Sequence, residues 1–469
     1  MGRPVKMRQQ VSIVDIADEG RCIGKTQEGE ILLVEGTLPG AVVDVQIFRK
    51  RKGMSMGRVS KEISPSPWEV TPFCEHFGHC GGCKWQHLDY ARQLEFKERS
   101  VKESLRRIAK IEDAQVRPIL GSEHMTHFRN KLEYSFARHR WKTPEEIRCG
   151  EKLESTGAVG FHPPGFYDKV VDIKWCHLQD EPTNAIRNGL RDLALLHGLT
   201  FYDFIAHEGF LRGLLIRKAA FTTDLMVAVL FGSDNQDAIK LVLDYLIRQF
   251  PEITSCQYAI NTKRNDALHD LEFITYSGLP YLHERLGDLT YRIGPKSFFQ
   301  TNSYQALHMF ETISALAELD GSETVYDLYC GTGSIGLFLA GQCKHVVGIE
   351  MIPEAIEEAR MNQELNQIDS ADFFAGDVKD VLSDTFAEKY GRPDLIIVDP
   401  PRAGLHDQVV QFLNAIKAPK VIYVSCNPAT QARDLGKMSE VYRDIVHQPM
   451  DMFPHTHHIE NITLLTLKA

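Results

Sequence analysis

Cys426 ends the run V-I-Y-V-S-C-N-P-A-T-Q-A-R-D-L (421–435), a β-branched and aromatic segment that stops at the thiol and turns into Asn-Pro. A cysteine in such company is by default a small buried hydrophobe, and it becomes a nucleophile only where its thiolate meets an electrophilic carbon. Glu460 stands directly before the apolar run N-I-T-L-L-T-L (461–467), with His455, His457 and His458 close by, and could serve as a base. Taken alone it reads as a surface carboxylate. A third group lies far upstream. C-E-H-F-G-H-C-G-G-C (74–83) spaces Cys74, Cys80 and Cys83 so that they can converge on one ion or cluster, with Gly81 and Gly82 letting the backbone fold back between them. A fourth ligand from His76 or His79 would favour zinc. A distant cysteine, for which Cys176 in V-V-D-I-K-W-C-H-L (170–178) is the candidate, would favour a cluster that staples two segments.

The elements that must position these residues alternate strand and helix over the last third of the chain. E-T-V-Y-D-L-Y-C-G-T-G-S-I-G-L-F-L-A (323–340) reads as a strand, a glycine turn and a helix start, with Gly331, Gly333 and Gly336 in G-x-G-x-x-G spacing. That spacing suits a dinucleotide as well as S-adenosylmethionine. H-V-V-G-I-E ends at Glu350, the right distance on to take a ribose diol; A-D-F-F-A-G-D ends at Asp377, and D-L-I-I-V-D-P-P-R-A-G-L carries Asp399 at its tip. All of these polar residues fall at carboxyl ends of strands, where open α/β sheets bind ligands.

The Asp-Pro-Pro loop and the cysteine on the next strand favour methyl transfer over hydride transfer, the alternative being a zinc-bearing dehydrogenase. Arg402 follows the two prolines where nitrogen methyltransferases carry a stacking aromatic, so an amine acceptor is disfavoured. A pyrimidine carbon fits better. C5 of uracil is too weak a nucleophile to take a methyl group until a thiolate has added to C6, and its proton must later be removed by a base.

With 469 residues, 43% of them apolar, the chain exceeds a single hydrophobic core, and two or three domains are expected. No apolar run approaches the roughly 18 residues of a membrane span, and the N-terminus lacks the apolar stretch of a signal peptide, so a cytoplasmic location is expected. The formal net charge of −10 is unevenly spread. Residues 1–61 hold eleven Lys and Arg against seven Asp and Glu, residues 84–148 fifteen against ten, and residues 321–469 twelve against twenty-one. A basic front on an acidic back suits a nucleic-acid-binding front joined to an enzyme. Residues 10–63 alternate in short strand-like runs that predict a small β-barrel, whose T-L-P-G turn (37–40) and cluster Arg49, Lys50, Arg51 and Lys52 would face RNA phosphates. S-P-S-P-W-E-V-T-P (64–72) reads as a linker. Residues 89–108 have a helical apolar period through Leu94, Val101, Leu105 and Ile108, with their charges on a solvated face. Residues 126–280 read as α+β.

Taken together, S-F-F-Q-T-N (297–302), D-L-Y-C-G-T-G (327–333), D-P-P-R-A-G (399–404), S-C-N-P-A-T (425–430) and D-M-F-P-H-T-H-H-I-E (451–460) resemble the RNA 5-methyluridine methyltransferase family. The barrel, which resembles a TRAM domain, and the C-x5-C-G-G-C cluster are similar to its 23S ribosomal-RNA branch. Ser334 after the glycines and Trp68 after Ser-Pro depart from the family pattern, the second with a bearing on RNA grip. The resemblance implies Cys426 as nucleophile and Glu460 as base. It implies Gln300, Tyr329, Glu350, Asp377 and Asp399 as contacts to S-adenosylmethionine, and Cys74, Cys80, Cys83 and Cys176 as ligands of a four-iron four-sulfur cluster. The implied architecture is a TRAM-like barrel (1–63), an α+β central domain with the cluster (64–88 and 111–285), and a Rossmann-like α/β methyltransferase domain (89–110 and 286–469). The expected partner is RNA, ribosomal or alternatively transfer RNA, met by a monomer away from any membrane. A non-catalytic RNA-binding factor on the same fold would lack Cys426 or Glu460, and both are present.

Overall fold

Period-two alternation turns Val11 and Ile13, Leu32 and Val34, and Val43 and Val45 inward on three strands, and together they make a closed core. The structure, a computed structural model, describes residues 6–17, 20–51, 53–150 and 157–469. Strands β1 (Lys6–Ile16), β2 (Cys22–Lys25), β3 (Ile31–Glu35), β4 (Val42–Arg51) and β5 (Met54–Ser64) close into a barrel in the order β1-β2-β3-β5-β4. Gly57 lets β5 cross the core, since a Cβ there would stand 2.3 Å from Val45 Cγ1.

The T-L-P-G turn does not face solvent as expected. Leu38 is buried against Trp85, Leu88 and Phe96, and the Ser66 hydroxyl donates to Pro39 O at 2.6 Å. An apolar side chain at a turn tip needs a cover, which Trp85, Leu88 and Phe96 supply, with Trp68 of the Pro-rich segment packed against them. That segment is accordingly no free linker: Trp68 meets Phe96 edge-on at 5.9 Å and carries the Arg92 guanidinium 4.9 Å above its ring, so it packs inward. Arg49 and Lys50 are exposed; Lys52 lies outside the described residues.

Helix α1 (Tyr90–Ser104), capped by Asp89, runs into a π-helical turn at Leu105–Ala109. Its buried face matches the expected one in part. Val101 and Leu105 are buried as the period predicts, Gln93, Phe96 and Lys97 join them, and Ile108 is 45% exposed. The π turn shifts the phase of the last residues, so Ala109 points inward instead of Ile108. Gln93 and Lys97 face the backbone of a loop, which rewards polar side chains that a search for apolar period discards.

The middle of the chain forms β6 (Lys131–Ala137), α2 (Pro144–Arg148), β7 (Ala158–Phe161), β8 (Val171–Asp172), α3 (Thr183–Leu196), β9 (Leu211–Lys218), β10 (Leu225–Phe231), α4 (Gln236–Gln249), β11 (Ser255–Ile260) and β12 (Ile274–Gly278). Its sheet has the order β12-β11-β10-β9-β6-β7-β8. β9 and β10 are apolar on both faces because both are covered. Leu214, Ile216, Val227 and Val229 pack with α3 and α4, while Leu215, Met226 and Ala228 join the core beneath the last sheet.

A hairpin, β13 (Leu282–Leu286) and β14 (Leu289–Ile293), leads to α5 (Ser303–Ala317) and then β15 (Thr324–Leu328), α6 (Ser334–Leu339), β16 (His345–Glu350), α7 (Pro353–Leu365), β17 (Ala371–Ala375), α8 (Val378–Val381), α9 (Asp384–Tyr390), β18 (Leu395–Val398), α10 (Asp407–Ile416), β19 (Lys420–Ser425), α11 (Pro428–Met438), β20 (Tyr442–Met450) and β21 (Glu460–Leu467). The sheet order is β17-β16-β15-β18-β19-β21-β20, parallel through β19 and antiparallel at β21. The connection reverses direction between β15 and β18, which opens a crevice at their carboxyl ends. The π turn after α1 packs on α11, with Gly436 against Ala109. Among the described residues no helix is long and apolar enough to cross a membrane.

Candidate functional site

The turn after β15 is built for close approach. Tyr329, Gly331 and Gly333 all adopt positive φ (64°, 54° and 72°), and a Cβ on Gly333 would lie 2.8 Å from the Phe373 ring. The turn is braced by two carboxylates. Glu350 accepts from Gly331 N at 3.2 Å through one oxygen and from Ile352 N at 3.0 Å through the other. Asp327, which the sequence reading passed over, accepts from Gly336 N at 2.8 Å, leaving its other oxygen buried and unpartnered. Burial pushes Asp327 up to about 7, ahead of the neighbouring Asp399 and Glu350 charges. An acidic residue in an otherwise apolar strand was the available signal.

Asp377 caps α8 and pairs with Lys379, which holds it below the ordinary carboxylate range. Tyr329 is raised to about 12, first by burial and then by the charges of Asp377, Asp434 and Glu350; Tyr329, Glu350 and Asp377 follow the carboxyl ends of the neighbouring strands β15, β16 and β17. Gln300 is held differently. Its carbonyl accepts from Asn130 Nδ2 at 2.9 Å in the turn into α5, and the next side chain but one, Asn302, donates to Met452 O at 2.9 Å.

On the other side of the crevice, register does the positioning. β19 and β21 place Ser425 opposite Asn461, so the next residues out, Cys426 and Glu460, emerge side by side. Asn427 caps α11 through Ala429 N, and Pro428 is the first residue of that helix, so the chain leaves the sheet immediately after the thiol. Cys426 is half-buried and raised to about 11, by desolvation first and then by Glu460 and Asp399, with Arg402 acting in the opposite direction. Glu460 is buried, not a surface carboxylate, and stands well above the ordinary carboxyl range because of burial and Asp399. Burial raises Asp399 to about 7. Burial thus raises all three acidic groups of this site, and the charge of Asp399 adds to the effect at Cys426 and Glu460.

Asp399→Asn is expected to raise the thermal midpoint at pH 8 by roughly a few degrees and to leave it unchanged near pH 4. The folded carboxyl binds its proton up to about 7, the open chain only to about 3.9. The folded state thus holds the extra proton between these values and loses stability as pH rises through the window. An amide has no charge to desolvate. Melting scans that give the same difference at both pH values would show that Asp399 ionises in the fold as it does in the open chain.

The loop between β20 and β21, residues 451–459, is anchored along its length. Lys97 Nζ lies 2.6 Å from Asp451 Oδ1 with both side chains fully buried, and it also donates to Phe453 O at 3.2 Å. The Tyr90 hydroxyl donates to Asp451 Oδ2 at 2.9 Å, Gln305 Nε2 donates to Asp451 O at 2.9 Å, and His455 N donates to Gln93 Oε1 at 2.9 Å. His455 itself has φ 64°, and its carbonyl accepts from both Lys84 N and Trp85 N at 2.9 Å.

Cys74, Cys80, Cys83 and Cys176 line one cavity, although Cys176 comes from a distant segment. Among the described residues no three His, Cys, Asp or Glu side chains form a group that could hold a single metal ion. His76 also lines the cavity, but its Nε2 accepts from Lys174 N at 2.9 Å. Burial raises Cys80 and Cys83 to about 12 and 11. Neither Gly81 nor Gly82 adopts positive φ; Gly81 is required because a Cβ would lie 2.6 Å from His162 O.

Comparison with known proteins bears on this geometry. The model of the tRNA (uracil-5-)-methyltransferase family matches residues 281–468, and the TRAM domain model matches residues 5–59. Proteins of Bacteroides thetaiotaomicron and Porphyromonas gingivalis, each named an uncharacterized RNA methyltransferase, are 46% and 44% identical. Both alignments cover 97% of this chain, and they cover 100% and 99% of the relatives. The crystal structure of Pyrococcus abyssi tRNA (uracil-54, C5)-methyltransferase in complex with S-adenosyl-L-homocysteine is 30% identical with a TM-score of 0.75, over 98% of this chain and all of that one. With the crevice, the paired Cys426 and Glu460 and the barrel in place, the chain belongs to the RNA (uracil-5-)-methyltransferase family and carries an N-terminal TRAM domain.

Proposed function

We propose that the protein methylates C5 of a uridine in RNA, through a covalent bond between Cys426 Sγ and C6 of the base. The observation that carries this reading is the β19/β21 register, which sets Cys426 and Glu460 together at the mouth of the glycine crevice. The Cys426 thiolate adds to C6, and the C5–C6 π pair moves onto C5 and O4. C5 then takes the methyl group, Glu460 removes the C5 proton, and the released pair restores the double bond and expels the thiolate. When bound, S-adenosylmethionine supplies the methyl group and a positive sulfonium charge. Asp399, whose charge raises the proton affinity of Cys426 and Glu460, ionises more readily beside a cation, as do they. Glu350 is read as the ribose ligand, with Gln300, Tyr329, Asp377 and Asp399 as further contacts. The target base must leave its stack to reach a half-buried thiol.

We read the four cysteines that line one cavity as the ligands of an iron–sulfur cluster, which takes one thiolate per iron. Such a cluster, when bound, would join segment 74–83 to the segment around Cys176 through iron–sulfur bonds. This donor set favours the 23S ribosomal-RNA branch. The Pyrococcus abyssi relative, named for uracil-54 of tRNA, favours transfer RNA as the second reading. Exposed Arg49 and Lys50 on the barrel suit phosphate contacts. The boundaries 1–63, 64–88 with 111–285, and 89–110 with 286–469 remain our division of the chain.

Transcripts of 23S ribosomal RNA and of transfer RNA containing 5-fluorouridine test the reading directly. Fluorine cannot leave C5 as a proton does, so the correct RNA should form a covalent band with the enzyme and S-adenosylmethionine that survives denaturing electrophoresis. No band with either RNA overturns the thiolate route, and a band with transfer RNA alone overturns the ribosomal assignment.

A further inference from the structure

Three side chains on one stripe of α1, Tyr90, Gln93 and Lys97, all reach into the loop that delivers Glu460. Each takes a different group: Tyr90 and Lys97 hold the two Asp451 oxygens, Lys97 also takes Phe453 O, and Gln93 takes His455 N. We propose that this stripe is a positioning device for the base, holding Glu460 where it can remove the C5 proton; the inference rests on the covalent mechanism above.

The geometry favours positioning over simple cohesion. Replacing a buried ion pair by well-packed apolar residues commonly leaves a fold as stable or more so, whereas a hydrogen-bonded pair admits few geometries. Here the pair sits at one end of a nine-residue connection whose flanking residues, Met450 and Glu460, are partners across the β20/β21 ladder. A shift at Asp451 is therefore passed to Glu460 through one rung. The loop also contains a non-glycine residue at positive φ, His455, kept there by Gln93 on its N–H and by Lys84 and Trp85 on its carbonyl. Backbone held in a sparsely populated region by surrounding bonds is a mark of pre-organisation. Asn302 and Gln305 clamp the same loop from α5, so α1 completes a grip on two sides.

Two variants test it. Tyr90→Phe removes one hydroxyl and keeps the ring, and the double variant Lys97→Met with Asp451→Asn removes both charges without leaving one unpaired. Loss of alignment at a general base costs about 10- to 100-fold, and it should fall on proton removal alone. With RNA carrying tritium at C5 and a ¹⁴C-labelled methyl donor, both variants should build up ¹⁴C-methylated protein–RNA adduct while tritium release slows by that factor and KM for RNA stays within about twofold. A purely structural role would lower the melting point or the fraction of active enzyme and leave the ratio of adduct to released product as in the parent. That result, or unchanged turnover in both variants, overturns the proposal. The unmutated enzyme on 5-fluorouridine RNA is the control for the mechanism itself. Without an adduct there, the covalent reading fails and the proposal falls with it; with one, the variants alone decide.

Discussion

Glu460→Gln is expected to leave a methylated protein–RNA adduct that survives denaturing gels, whereas Cys426→Ala should yield neither adduct nor product. The two side chains emerge together from adjacent strands, yet in the proposed mechanism they serve opposite ends of the reaction. Without the thiol, C5 never becomes a nucleophile, so methyl transfer falls to background. Without the carboxylate, addition and transfer proceed, but the C5 proton stays and the thiolate cannot be expelled; turnover should fall by about 10²–10⁴-fold. The resting thiol is held to about 11. Adduct formation with 5-fluorouridine RNA should therefore accelerate with pH, by close to tenfold per unit well below that value, as the thiolate fraction grows. Residual methylation by Cys426→Ala would return Cys426 to the role of a buried structural thiol.

Cys176→Ala should strip iron from protein purified without air and lower its melting point by at least about 5 °C. Cys176 is itself well supported, since its N–H donates to Asn184 Oδ1 at 2.7 Å and Asn184 Nδ2 donates back to Cys176 O at 3.2 Å. The substitution therefore removes the proposed ligand from a frame that stays ordered. The loss should come from releasing segment 74–83, whose neighbours Lys84 and Trp85 hold His455 O, so slower turnover should accompany lost iron. Metal analysis and absorption spectra check the outcome. Iron retained at the parent level would make His76 or His79 the fourth ligand, and one tightly bound zinc in the parent would reverse the metal assignment.

The residues nearest the chemistry were legible because their types conflict with their neighbours. A thiol after four apolar strand residues, glycines between strand and helix, and Asp before two prolines are each poor choices for packing alone. Asp327 was equally anomalous but was overlooked, because it lies inside the strand and braces Gly336 N under the turn rather than standing at the strand's tip. Lys97, Gln93 and Tyr90 could not be read, since a helical lysine normally lies in solvent and its partner Asp451 is 354 residues away in the chain. The T-L-P-G turn was recognised as a turn, but turn chemistry does not say what covers it, and Leu38 settles against Trp85 and Phe96.

The long separation between Lys97 and Asp451 also sets the order in which the molecule can become active during synthesis. α1 is made early and has a helical sequence, but the buried end of Lys97 has no anionic partner until 354 more residues have been added. At ribosomal rates of 5–20 residues per second this is about 20 to 70 s. Through that interval α1 must keep Lys97 solvated or lie loosely on unfinished neighbours, while the barrel can already close on its own contiguous strands. On the mechanism proposed above, the barrel is complete before the base exists, and full turnover begins only when the last loop locks onto a helix made near the start.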